Sequence, residues 1–107
     1  MSETFRGDVV RTAFSHGVFW ERLIVDREAV TLTPWFGQGD VVHRTEVQAV
    51  EFVKIRIPFV WKTLIRFRFA DGTIARRMFV AIRTNHVRRA LQRLGWPVRD
   101  LKFMRQG

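Results

Sequence analysis

Hydrophobic and polar residues alternate along most of the chain, and a period of two argues for strands. Residues 19–25 set Phe19, Glu21, Leu23 and Val25 against Trp20, Arg22 and Ile24. Residues 29–33 and 47–57 are rich in the β-branched side chains that suit a pleated, half-buried surface. Residues 5–14, 41–44, 63–69 and 73–81 complete a set of seven predicted strands. Turn signals separate them: Ser15-His16-Gly17, Asp26-Arg27-Glu28, a loop over residues 34–40 holding Gly37 and Gly39, then Pro58, then Asp71-Gly72. Asp-Gly between alternating segments is a strong hairpin signal, because glycine accepts the positive φ of tight turns. Its loop can hold two residues or three. The first would set Arg66 opposite Arg77, the second opposite Arg76.

The period changes after residue 83. Val87, Ala90, Leu91 and Leu94 fall at i, i+3, i+4 and i+7, one stripe of an α-helix. Thr84 is placed to cap its start, Gly95 suits a left-handed residue after its end, and Pro97 forbids continuation. Burying Val87, Leu91 and Leu94 would contribute about 1.5–3 kcal/mol each, so the helix is expected to dock on the sheet. Arg88, Arg89 and Arg93 fall off that stripe. Residues 1–98 are expected to form one domain, followed by a short, flexible basic tail over 99–107.

Several stretches in this order resemble a pleckstrin-homology-like (PH-like) domain of the bacterial PH or GRAM kind. They are Ala29-Val30-Thr31-Leu32, then Val42-His43-Arg44-Thr45-Glu46-Val47-Gln48-Ala49-Val50, then Phe67-Arg68-Phe69-Ala70-Asp71-Gly72, and finally residues 79–94. The resemblance implies a mainly β barrel of about seven antiparallel strands in two orthogonal sheets, capped by one C-terminal α-helix. It also implies a binding or scaffolding role. In phosphoinositide-binding members, bases flank the first hairpin. Arg11 and Arg22 do so here, but Ile24 stands where a further arginine would complete the pattern. The resemblance therefore extends to anionic-surface contact and not to specific inositide recognition.

Composition sharpens this picture. The 107 residues carry 19 Lys and Arg against 10 Asp and Glu, a net charge of +9. Such a field favours anionic partners. The absence of Cys excludes disulfides and thiolate metal sites. No apolar run approaches the ~20 residues of a membrane span, and residues 1–8 lack the apolar core of a signal peptide, so a cytoplasmic location is expected. His16, His43 and His86 fall in separate elements with no acid or Cys at ligand spacing, so neither a metal nor a cofactor is expected. The acids fall mostly in turns and at strand ends, with no pair set for general acid–base work, so no enzyme activity is expected.

Two surface features remain as candidate sites. Arg66 and Arg68 alternate with Ile65, Phe67 and Phe69, and so face outward beside Arg76 and Arg77. Like charges opposed across a ladder are unfavourable until neutralised, either by a bridging anion or by Glu51 on the neighbouring strand. With Arg11 and Arg22, these make the candidate anion-binding set. Pro58-Phe59-Val60-Trp61 forms an apolar turn, which is a candidate contact for a protein partner, a second copy or a bilayer interface. The expectation is a non-enzymatic domain docking an anionic surface or associating with itself. Nucleic acid is the alternative partner, disfavoured on the 65–69 strand because its aromatics point away from its arginines.

Overall fold

The structure is a computed structural model that describes residues 2–10, 20–35, 38–57 and 60–101. Its strands are β1 (Glu3–Val10), β2 (Glu21–Val25), β3 (Ala29–Thr33), β4 (Asp40–His43), β5 (Val47–Ile57), β6 (Val60–Phe69), β7 (Met78–Ala81) and β8 (Val98–Leu101). A helix, α1 (Thr84–Arg93), precedes β8, and a short 3-10 turn (Arg44–Glu46) joins β4 to β5. The described residues are thus mainly β with one α-helix, and no helix among them is long and apolar enough to cross a membrane.

Period-two patterning places one row of each strand in a common core. Leu23 and Val25 of β2, Val30 and Leu32 of β3, Val50 and Phe52 of β5, Ile65 and Phe67 of β6 and Phe79 of β7 are buried in it. Val87 and Leu91 of α1 enter the same cluster, as the helical stripe predicts. Trp96 closes it. Its ring stands edge-on to Phe67, and its Nε1 donates to the carbonyl of Asp26 at 2.7 Å. A smaller cluster of Val10, Leu64 and Val80 lies on the opposite face of the sheet.

The strands form one continuous sheet in the order β4-β3-β2-β1-β7-β6-β5-β8, curled into a half-barrel, rather than two orthogonal sheets. The reason lies in β1. Its residues Glu3 to Gly7 pair with β2, and Gly7 to Val10 pair with β7. Gly7 stands where the chain passes from one partner to the other. A Cβ there would lie 2.1 Å from the carbonyl oxygen of Val80 and 2.7 Å from the ring of Phe79, so only glycine fits.

Among the described residues there are eight strands, not seven, and the eighth runs parallel to β5. Arg99, Asp100 and Leu101, expected in a flexible tail, belong to β8. The amide of Val50 donates to the Pro97 carbonyl, which starts this pairing. Residues 102–107 lie outside the described residues, as does the Ser15-His16-Gly17 turn. Strand β6 begins at Val60 rather than residue 63, and β7 is shorter than predicted. Thr84 is the first helical residue and not a cap: the N-cap is Arg83, with no side-chain cap hydrogen bond. Gly95 is left-handed as expected, at φ 86°. Arg88 is half-buried: its guanidinium lies 4.7 Å from the centroid of Phe52 and pairs with Asp100 at 2.6 Å.

Candidate anion-docking face

The Asp71-Gly72 hairpin takes its three-residue form. The amide of Phe69 donates to the Thr73 carbonyl, that of Gly72 donates back to Phe69, and Gly72 has φ 89°. Thr73 donates from both its amide and its hydroxyl to Asp71, and these bonds hold the Asp71 carboxyl below the usual range. Beyond the turn the ladder is irregular. Arg68 pairs with Ile74, but Ile65 pairs with Phe79, so Arg66 and Phe67 face the longer run of residues 75–78. Neither Arg76 nor Arg77 is therefore Arg66's ladder partner, contrary to both expected registers. The extra residues carry these two arginines out of line.

Glu51 stands directly across from Arg66 on β5 and neutralises the pair from within the sheet. Glu51 is buried, its side chain 2% exposed. It accepts from Arg66 Nε at 2.6 Å and from Arg68 Nε at 2.9 Å, with Arg99 Nη2 at 3.7 Å. Burial alone would push its pKa up. The hydrogen bonds from Arg68 and Arg66, with their charges, override this and hold it below the usual carboxylate value. The same contact raises the pKa of Arg68. Arg77 turns away to Asp40 at 3.4 Å and to the Gln38 carbonyl, and Arg76 is exposed. The cluster is thus an internal clamp across β8, β5 and β6, with its carboxylate already engaged.

The other candidates distribute differently. Arg11, Pro58 and Phe59 lie outside the described residues, and of Val60 only the backbone is described. Trp61 is exposed, with Arg56 at 6.0 Å from its ring centroid. Arg22 is exposed on β2, and the register sets it directly opposite Arg6 of β1. This is the like-charge juxtaposition that the sequence suggested for the last hairpin, found instead on the first. All ten Asp and Glu belong to the described residues, and none forms an ion pair with Arg6 or Arg22.

Trp20 completes the arrangement. Arg6, Trp20 and Arg22 line one surface hollow. Trp20 is 62% exposed, and its ring centroid lies 4.4 Å from that of Trp35 in the β3–β4 loop, which is 51% exposed. Glu21 sets this pair in place. Its buried carboxylate accepts from the Val9 amide through Oε1 at 2.9 Å and from the Trp35 amide through Oε2 at 3.0 Å. One side chain thereby holds β1 after it leaves β2 and ties the Trp35 loop beside Trp20. Sequence reasoning missed Arg6, Trp20 and Trp35. The signal available was Trp20 and Arg22 two apart on a predicted strand; what was lacking was the β1–β2 register.

No family model, curated protein or solved structure matches the chain. Among the described residues, no group of three or more His, Cys, Asp or Glu is arranged to hold a metal ion.

Proposed function

We propose that this chain is a non-enzymatic PH-like binding domain that docks a phosphate-bearing anionic partner on the outer face of β1 and β2. The reading is supported by the order of strands followed by a helix, by the net charge of +9, and above all by Arg6 opposed to Arg22 with no acid between them. Two guanidiniums held side by side repel each other until an anion bridges them, and their planar forks match phosphate oxygens bidentately. The Glu51 cluster is a poorer candidate, because its carboxylate occupies the donors an incoming anion would need.

Elution from a heparin column at neutral pH tests this reading. The double variant Arg6→Ala/Arg22→Ala is expected to elute at clearly lower salt than Arg27→Ala/Lys62→Ala, which removes the same charge elsewhere. Equal elution of the two would show that net charge alone governs binding, and the face would lose its role.

A further inference from the structure

The hollow at Arg6 is the first of three hollows that share lining residues, together termed the groove. Arg6 also lines a second hollow with Thr4, Ile82 and Arg83. Ile82 and Arg83 in turn line a third, with His86 and Arg89. The path therefore runs from Trp20 past Arg22, Arg6 and Arg83 to Arg89. These four arginines are exposed, no ion pair joins any of them to an acid, and no acid is found among the described residues lining the groove.

We propose that this groove takes single-stranded nucleic acid, with phosphates along the arginines and a base stacked on Trp20. The inference rests on the anion-docking reading of the same face and names its partner. Three observations carry it. First, the cations follow one another along adjoining hollows, which suits a chain of regularly spaced phosphates; a bilayer is met by a protruding surface. Second, the aromatic at the groove's end keeps most of its surface open while Trp35 braces it, so it offers an oriented face for stacking. Third, Trp20 and Arg22 line the same hollow, so stacking and phosphate contact are available together. This differs from β6, where the aromatics face the core and the arginines do not. A duplex keeps its bases stacked inside and offers Trp20 nothing, so the partner is single-stranded.

The test uses the full chain and a fluorescently labelled oligodeoxythymidylate of about ten nucleotides, within the range one small domain covers. Binding is read by anisotropy and by quenching of tryptophan emission. Four phosphate contacts predict a slope of log affinity against log salt of about −3, reduced by about 1.4 in Arg6→Ala/Arg22→Ala. Trp20→Ala is expected to weaken binding about five- to a hundredfold, and Trp20→Phe, which keeps a stacking face, to restore most of it. A duplex of the same length is expected to bind at least tenfold more weakly, on the order of one lost stacking contact. Equal affinity for the duplex, or unchanged affinity in Trp20→Ala, overturns the inference. So does sedimentation with phosphatidylserine vesicles in the absence of oligonucleotide binding. Heparin retention that depends on Arg6 and Arg22 without oligonucleotide affinity overturns this inference and leaves the broader reading standing; loss of both removes both.

Discussion

Glu51 shows how one residue can hold several elements together. A carboxylate taken out of water is unfavourable by itself, and three arginines from two neighbouring strands make its burial tolerable. Removing its charge takes from Arg66 and Arg68 the carboxylate that they share. Glu51→Gln is therefore expected to lower unfolding free energy by about 3–5 kcal/mol, measured by urea denaturation at neutral pH. The sign with pH follows from the lowered pKa. An unfolded glutamate titrates near roughly 4.3. The stabilisation from Glu51 is thus complete above that value and is lost as pH falls through the lower, folded value. Wild-type stability should fall steeply below about pH 4. Glu51→Gln should fall less over the same interval; parallel curves would show that the carboxylate adds nothing.

At the level of elements, the decisive feature is the change of partner in the middle of β1. The strand serves two neighbours in succession, and Gly7 permits it by letting the backbone of Val80 and the ring of Phe79 approach where a side chain would otherwise stand. Gly7→Ala must displace a backbone carbonyl, which is not the flexible end of a side chain. The expected loss is about 1–3 kcal/mol or more, read from the urea midpoint. Because Val9 and the Trp35 loop share Glu21, a shift of β1 should also change the emission of the exposed Trp20–Trp35 pair. An alanine variant as stable as the wild type would mean that β1 does not hold both partners at once. The helix is simpler: Val87, Ala90 and Leu91 face the core at the spacing that predicted them.

At the scale of the whole molecule, charge is unevenly placed. Glu51, Asp40, Asp100 and Glu3 pair with Arg66, Arg68, Arg99, Arg77, Arg88 and Arg93, which leaves the groove of Arg22, Arg6, Arg83 and Arg89 without acids. An excess of +9 in a small domain opposes its own compaction. Salt shortens the reach of that repulsion, with a Debye length of about 30 Å at 0.01 M and about 8 Å at 0.15 M. Thermal stability is accordingly expected to rise between these concentrations, and to rise less in Arg6→Ala/Arg22→Ala, whose opposed pair is gone. Polyanion affinity should fall over the same range. A melting temperature that falls with salt would show that the ion pairs outweigh the repulsion.

How much was legible beforehand follows from which forces are local. Alternation and turn chemistry act over a few residues, so β3 and β5, the Asp71-Gly72 turn and the apolar stripe of α1 could be read directly from the chain. Burial of an alternating row also settled which side of β6 faces the core. Register and strand partnership depend on residues far apart in sequence. Whether Arg66 would meet Arg76, Arg77 or Glu51 turned on extra residues between Ile74 and Phe79 that no local rule places. The parallel docking of β8, the dual pairing of β1 at Gly7 and the meeting of Arg6, Arg22 and Trp20 were likewise decided by the closing of the sheet. The sequence alone determined most of the strands, the helix and the excess of positive charge. Only the tertiary structure decided where acids neutralise it and where they do not, because ion pairing depends on distance in space and not along the chain.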